Sequence, residues 1–135
     1  NDAAITLAHE LGHYLGLRHV FSEGGTTSMC TDTDYCKDTP SYNRSEYEQW
    51  LNNLDKQNKY QLKDLAKRYS CEKGEYEAHN IMDYAYCFYN EITLEQRKRI
   101  RHILNYSPLI PGPKESRIDT RGVQGRLNLP ICIMK

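Results

Sequence analysis

The sequence lacks the features that mark membrane-spanning and nucleic-acid-binding proteins. No run of eighteen apolar residues occurs among its 135 residues, so no segment is predicted to span a bilayer. The 18 basic and 18 acidic residues cancel, so no excess charge indicates nucleic acid or an anionic membrane surface as a partner. Only two phenylalanines are present against eleven tyrosines. This composition predicts one polar domain with a modest core, partly covered by aromatic side chains with a polar end.

Cysteine is present, but never as the paired C-x2-C units that a zinc ribbon needs. The five cysteines are Cys30, Cys36, Cys71, Cys87 and Cys132. The short interval between Cys30 and Cys36, in a polar loop, suits a small disulfide. Cysteine usage of this kind favours an oxidising, extracytoplasmic location.

The pattern of apolar and turn-forming residues predicts a mainly α-helical chain with long irregular loops. A first helix is predicted over residues 2–16, where Asp2 can cap the start and Gly16 can end it. Thr93 and Gln96 form a capping box that opens a last helix running to about Asn105. The other predictions are a loop at 22–44, two helical stretches within 45–68, irregular structure at 70–90 and a weak strand at 131–134. We expect residues 1–113 to form one structural unit and residues 114–135 a tail.

The segment HELGHYLGLRH, residues 9–19, has the spacing of a catalytic zinc site. On a helix, His9 and His13 lie one turn apart on one face, so two imidazoles can bind one ion. Gly16 lets the chain leave the helix sharply, and His19 can return as a third ligand. Glu10 is rotated by roughly 100° from His9, which suits a general base better than a ligand. Three protein ligands leave a position open for water, as in catalytic sites.

The alternative for HExxH alone is a helix with two surface histidines. With Gly16 and His19 added, five positions are fixed, and chance occurrence falls to the order of 10⁻⁵. His79 and His102 are not predicted to bind the metal.

These residues form the metzincin signature, and the segments around them resemble the pappalysin family of metzincin zinc peptidases. The similar segments are Cys36-Lys37-Asp38-Thr39-Pro40, then NIMDYAYC over 80–87, then Ile92-Thr93-x-x-Gln96. The resemblance implies an α+β zincin or metzincin-like fold. It also implies that Met82 lies beneath the metal in a turn of residues 80–84, the Met-turn. By position, Tyr84 inherits the role of approaching the zinc or the tetrahedral intermediate.

The resemblance further implies a zinc endopeptidase that acts on protein or peptide substrates outside the cytoplasm. The chain looks closest to secreted or lipid-anchored bacterial members. The expected mechanism is peptide hydrolysis by a zinc-bound water that Glu10 activates. Two alternatives are a non-catalytic zinc-binding half-domain and an inert fragment of such a protease.

Structural calcium is also common in the family. Here Asp32, Asp34, Asp38 and Thr39 offer hard oxygen donors on one short loop. The alternative is that these aspartates form Asx turns. Loop spacing and the resemblance together predict disulfides Cys30–Cys36 and Cys71–Cys87, with Cys132 left over.

Two features depart from the family pattern. Only eight residues precede His9, so the chain corresponds to the C-terminal half of a metzincin catalytic domain. A missing N-terminal subdomain is the expected partner of an apolar stripe on the first helix, formed at helical spacing by Ile5, Ala8, Leu11 and Leu15. In addition, pappalysins that prefer Arg after the scissile bond carry an acidic residue shortly beyond the Met-turn tyrosine. Residues 85–88 are Ala-Tyr-Cys-Phe, so the resemblance does not extend to that preference.

Overall fold

The computed structural model describes residues 3–22, 32–70 and 72–115, which form four helices and one β-hairpin. In chain order the elements are α1 (Ala3–Tyr14), α2 (Arg44–Asn53), α3 (Leu62–Leu65), β1 (Lys67–Ser70), β2 (Gly74–Glu77) and α4 (Leu94–Tyr106). Helices and loops dominate, as predicted, and the fold is compatible with part of a metzincin-like domain. No helix in these ranges has both the length and the apolar character that a membrane span needs. The predicted Asp2 cap and the 131–134 strand lie outside the described residues.

Helix α1 ends in a Schellman motif centred on Gly16. Gly16 has φ +85°, a left-handed conformation that costs glycine little. Its N–H donates to the carbonyl of His13 at 2.9 Å, and the N–H of Leu17 donates to the carbonyl of Gly12 at 2.9 Å. This is the hydrogen-bond pattern that closes a helix on a C-terminal glycine. The motif reverses the chain and brings His19 back towards the helix.

Helix α4 begins at the capping box that the sequence predicted. Thr93 Oγ1 accepts a hydrogen bond from the N–H of Gln96 at 3.3 Å, and Gln96 Oε1 accepts one from the N–H of Thr93 at 3.0 Å. The far end of the helix, at Tyr106, lies one residue beyond the predicted end. Arg99 on α4 donates to the carbonyl of Gly16 at 2.5 Å. Helix α4 therefore packs on the turn that follows α1.

The β-hairpin corrects the sequence prediction. Residues 45–68 were expected to be helical and 70–90 irregular, whereas β1 and β2 pair antiparallel with Arg68 opposite Tyr76. Side chains of β1 alternate between exposed and buried, with Arg68 and Ser70 facing inward. The inward position of a charged residue removes the apolar alternation by which a strand is normally recognised.

The apolar core of the described residues contains two small clusters. One contains Leu17, Val20 and Met82, and the other contains Phe21, Tyr42 and Tyr47. Because Val20 and Phe21 are neighbours in sequence, the segment after α1 is anchored in both clusters. The position of His19 is fixed by the residues that follow it.

Candidate metal centre

Three imidazoles converge on one point between α1 and the segment that follows it. The Nε2 atoms of His13 and His19 lie 3.0 Å apart, those of His13 and His9 3.2 Å, and those of His9 and His19 3.3 Å. Among the described residues, these histidines are the one group of three or more potential ligands placed to hold a metal ion. The geometry brings the three predicted ligands together.

The spacing of these nitrogens fits a tetrahedral zinc ion. With zinc–nitrogen distances of about 2.0–2.1 Å and tetrahedral angles, neighbouring ligand nitrogens lie about 3.3 Å apart. The three observed separations approach this value. The three side chains could therefore hold one metal ion.

Backbone carbonyls orient the rings that α1 contributes. His9 Nδ1 donates to the carbonyl of Ile81 at 2.7 Å, and His13 Nδ1 donates to the carbonyl of Leu17 at 3.0 Å. With its proton on Nδ1, each ring presents the lone pair of Nε2 to the shared point. Such second hydrogen bonds commonly fix the tautomer of metal-binding histidines.

Met82 packs directly against α1, the helix that carries His9 and His13. Its side chain is fully buried, and its Sδ lies so close to Gly12 that no side chain fits at that position. This contact places Met82 against the helix that carries two of the histidines, and its position beneath a bound metal stays a prediction. Gly12 is the helix residue that permits the approach.

The Met-turn is held by Asn80 and Gln96, two residues of the family pattern that meet in space. Asn80 Nδ2 donates to Gln96 Oε1 at 2.8 Å, and Gln96 Nε2 donates to Asn80 Oδ1 at 3.1 Å. Asn80 Oδ1 also accepts from the N–H of Met82 at 3.0 Å. The capping glutamine of α4 therefore fixes the turn that carries Met82.

The ring of Tyr84 lies against the histidines. Its centroid is 5.1 Å from the ring of His9, in a stacked arrangement, and 4.5 Å from the ring of His19. The ring of Phe21 also stacks on the ring of His19, with the two centroids 4.6 Å apart. Two aromatic rings thus shield the histidines, and 37% of Tyr84 is exposed.

Glu10 lies on α1 between the two helical ligands and is exposed to solvent. It is not part of the converging group. An exposed carboxylate next to His9 is accessible to water and to a substrate, as a general base requires.

A buried arginine, Arg68, stabilises the Met-turn and the residues that follow it. Arg68 Nη2 donates to the carbonyls of Tyr84 and Tyr86 at 3.2 and 3.0 Å, and Nη1 donates to the carbonyl of Leu65 at 2.9 Å. Its Nε lies 3.5 Å from Asp83 Oδ2. The guanidinium therefore joins the hairpin to the turn.

Asp83 is the buried counter-charge of Arg68. Tyr42 donates its hydroxyl proton to Asp83 Oδ1 at 2.5 Å, and the N–H of Tyr84 donates to the same oxygen at 2.7 Å. Burial raises the pKa of Asp83, while Arg68 and the Tyr42 hydroxyl act in the opposite direction. The Asp83 carboxylate therefore holds the backbone N–H of Tyr84 in place.

Residues 1–105 match the model of peptidase family M43, described as pregnancy-associated plasma protein-A. The chain belongs to the pappalysin family. This match confirms the resemblance seen in the sequence, and the matched region includes the three converging histidines.

Three curated relatives are each described as an extracellular metalloprotease, and they come from Arthroderma benhamiae, Trichophyton verrucosum and Arthroderma otae. Each is 38% identical over 98 residues, which is 70% of this chain and 29% of the relative. The chain therefore spans less than a third of the length of these relatives. No solved structure matches it significantly.

The predicted calcium ligands of this pappalysin chain hydrogen-bond to their own loop. Asp32 Oδ1 accepts from the N–H of Asp34 at 3.1 Å, and Asp34 Oδ1 accepts from the N–H of Cys36 at 2.8 Å. These are the hydrogen bonds of Asx turns. Asp34 Oδ2 accepts the hydroxyl proton of Thr39 at 2.7 Å.

Asp38 is directed away from the other two aspartates, towards α4, where its Oδ2 accepts from the N–H of Glu95 at 2.9 Å. Burial, together with nearby Asp32, raises the pKa of Asp34 to about 6, against hydrogen bonds from Thr39 and Cys36 that lower it. Ionising Asp34 is therefore costly without a cation. The observed hydrogen bonds favour the turn-forming alternative, and calcium binding stays a prediction.

Cys36 and Cys87 are buried, and neither forms a disulfide with another described residue. Burial raises the pKa of each thiol to about 12, which makes a thiol at either position unreactive. Their predicted partners, Cys30 and Cys71, and the remaining Cys132 lie outside the described residues. Both pairings stay predictions.

His79 and His102 lie away from the centre. His79 Nδ1 is 2.9 Å from Asn90 Oδ1, and its ring stacks on Phe88. His102 packs against Tyr106 on α4. Neither belongs to the converging group.

The sequence analysis missed Arg68, Asp83 and Gly12 as supports of the site. Asp83 directly follows Met82, the residue expected to be buried. Because burying a lone carboxylate is costly, its position predicts a buried cationic partner. The spacing of Gly12 from His9 also carried a signal, since a glycine inside a helix costs stability unless something packs against it. No local pattern indicates Arg68.

Proposed function

We propose that this chain carries the catalytic centre of a zinc-dependent endopeptidase, with His9, His13 and His19 as the zinc ligands. The observation that carries the proposal is the convergence of three Nε2 atoms within 3.3 Å of one another. Family membership makes it a metallopeptidase, and His-rich nitrogen sites with an open position are typical of catalytic zinc. When bound, zinc polarises a carbonyl and lowers the pKa of a water molecule towards about 7.

The side chains around the histidines supply the proton transfers and the orientation. Glu10 takes the proton of the attacking water and delivers it to the amine that leaves. Tyr84, whose ring is held against His9 and His19, donates a hydrogen bond to the oxygen on which negative charge develops. Carbonyls of Ile81 and Leu17 hold two of the ligand rings in place before substrate arrives.

An apolar face on α1 supports a partner for this half of the site. Leu7, Leu11 and Tyr14 are 60%, 48% and 54% exposed, and burying such side chains stabilises a contact by about 1.5–3 kcal/mol each. Because the relatives are over three times as long as their matched part, a further subdomain is the partner that we propose. Substrate binding and activity then depend on both parts.

The relatives also support an extracellular location, which we propose for this chain, since each is described as an extracellular metalloprotease. They are fungal proteins, so they give no support to the bacterial origin or the lipid anchor that the resemblance suggested.

The test is substitution of the general base. Glu10→Gln removes the carboxylate without touching a ligand, so zinc content should stay at one per chain. Hydrolysis of a casein substrate should fall by about 10²–10⁴-fold, the usual contribution of a positioned base. The assay uses the protein at its full natural length, with Glu46→Gln, an exposed residue on α2, as the matched control.

Full activity in Glu10→Gln would contradict the proposed mechanism. Zinc binding without hydrolysis in the unsubstituted protein would favour the alternative of a non-catalytic zinc-binding domain.

A further inference from the structure

Arg44 places a positive charge at the rim of the histidine centre. It is the first residue of α2, and its Cζ lies 4.6 Å from the ring centroid of Tyr84 and 5.0 Å from that of Phe21. Both rings in turn contact His19. The aromatic pair therefore separates the guanidinium from the ligands by a single layer.

The distance from the Arg44 guanidinium to the histidines equals the length of only a few residues of an extended peptide. The contacts of Tyr84 with Arg44 and with His19 together place Cζ within about 9 Å of the His19 ring. Consecutive Cα atoms in a peptide are about 3.8 Å apart. A substrate residue next to the scissile bond, or one further along, can therefore direct its side chain to Arg44.

The hydrogen bonds of Arg44 leave one edge of the guanidinium available. Its Nε donates to Glu48 Oε1 at 2.6 Å, and within the described parts of the chain no acceptor contacts Nη1 or Nη2. Two parallel N–H groups of this kind bind a carboxylate in bidentate fashion. The side chain of Arg44 is 40% exposed, so this edge is open to an incoming ligand.

Three other arginines, Arg18, Arg68 and Arg99, donate to backbone carbonyls, whereas the described residues give Arg44 no carbonyl partner. Arg68 is buried and donates to carbonyls of the Met-turn, and Arg99 donates to the carbonyl of Gly16. Arg18 donates to the carbonyl of Thr33 at 3.3 Å. Arg44 bonds only to an exposed glutamate among the described residues, and such a surface pair contributes little stability.

Helix stability does not account for a cation at this position either. The first turn of a helix carries a partial positive charge, which favours acidic residues and disfavours arginine. The cap of α2 is supplied by Asn43, whose Oδ1 accepts from the N–H of Glu46 at 3.2 Å. Neither the cap nor the helix requires Arg44.

We propose that Arg44 is a specificity-determining residue that binds an aspartate or glutamate side chain of the peptide substrate, close to the scissile bond. The inference rests on the proposed endopeptidase function. It assigns to this site a preference for acidic substrates, opposite in charge to the Arg preference of some pappalysins.

The experiment compares peptides that differ in a single charge. A set of fluorogenic octapeptides carries one Glu, or one Gln of nearly the same shape, at each position in turn. The zinc-loaded protein at its full natural length should cleave the Glu peptide about five- to tenfold faster in kcat/KM at one position or at two neighbouring positions, the size expected for a partly exposed, bidentate ion pair. Arg44→Gln should bring that Glu-to-Gln ratio to about one.

Two further variants separate charge recognition from support of Tyr84. Arg44→Lys keeps the charge but loses the planar pair of donors, so its Glu-to-Gln ratio should be intermediate. Glu48→Gln removes the competing carboxylate and should keep or raise the ratio. An Arg44→Gln variant that loses activity equally on both peptides, with the ratio unchanged, would overturn the proposal and make Arg44 a positioning residue.

Binding measured without hydrolysis keeps this outcome distinct from failure of the proposed function. In the Glu10→Gln background, fluorescence anisotropy gives the Kd of each labelled peptide. Tighter binding of the Glu peptide that disappears with Arg44→Gln supports the inference even if no peptide is cleaved. Equal Kd values for the Glu and Gln peptides at every position would refute it. Absence of cleavage by the unsubstituted protein would count against the proposed endopeptidase alone.

Discussion

At the scale of single residues, Gly12 shows how closely the Met-turn approaches the helix that carries two ligands. A methyl group at this position would overlap Met82 Sδ. Glycine is otherwise a poor helix residue, about 0.5–1 kcal/mol less favourable than alanine. The close packing of Met82 therefore accounts for a glycine at this position, although glycine is unfavourable within a helix.

In Gly12→Ala, the clash with Met82 lowers the free energy of unfolding and the better helix propensity of alanine raises it, so the measured sign shows which effect is larger. We expect it to lower the free energy of unfolding by about 1–3 kcal/mol, the usual cost of overpacking, as measured by urea denaturation. In a Met82→Ala background the clash is removed, and the same substitution should become neutral or stabilising. A stabilising effect in the unaltered chain would show that Met82 does not pack against Gly12.

At the scale of secondary-structure elements, the hairpin and the Met-turn are joined through one buried ion pair. Arg68 and Asp83 are 0% and 2% exposed, and their nearest N···O distance is 3.5 Å. The preceding residue in β1, Lys67, forms an ion pair with Glu75 at the same distance, but there the side chains are 52% and 70% exposed. The two pairs differ mainly in burial.

This difference predicts unequal effects on stability. Arg68→Met leaves a buried carboxylate without its counter-charge, so we expect the free energy of unfolding to fall by about 3–5 kcal/mol. Lys67→Met, the matched control on the same strand, should cost less than about 1 kcal/mol. Urea denaturation of each variant supplies both values.

A double substitution tests the coupling between the two elements. Asp83→Asn removes the buried charge, so Arg68→Met with Asp83→Asn should cost less than the sum of the single effects, by about 0.5–3 kcal/mol. Strict additivity would mean that Arg68 stabilises the turn only through its bonds to carbonyl groups.

Elements with local signals could be predicted from the sequence, and elements that depend on distant contacts could not. The Schellman glycine Gly16 and the capping box of Thr93 and Gln96 lie within a few residues of the helix ends that they define, and both were confirmed. The hairpin depends on Arg68 packing over Tyr47, at 3.6 Å from its ring centroid. These residues are far apart in sequence, so local pattern gave no sign of the contact.

The same distinction applies to the site. The helical repeat predicts that His9 and His13 share a face, and a terminating glycine predicts the return of His19. The approach of Tyr84 to the site was expected only from the family resemblance. The pairing of Asn80 with Gln96 was found only in the structure. Both bring together residues separated by a long stretch of chain, which periodicity cannot relate.

At the scale of the whole molecule, the described chain has two small apolar clusters that the segment after His19 connects. Val20 belongs to the cluster with Leu17 and Met82, and Phe21 belongs to the cluster with Tyr42 and Tyr47. Backbone carbonyls and aromatic rings hold the histidines. A cation at their shared point would connect α1 to the segment after it, so we expect metal binding to stabilise the chain as well as to enable catalysis.

The most direct test of this account is X-ray absorption at the zinc edge of the zinc-loaded chain. We predict one zinc per chain, with three imidazole nitrogens at about 2.0–2.1 Å and no sulfur ligand. A sulfur shell at about 2.3 Å would place the metal on cysteine. That result, or a zinc content far below one per chain, would contradict the assignment of His9, His13 and His19 as the metal centre.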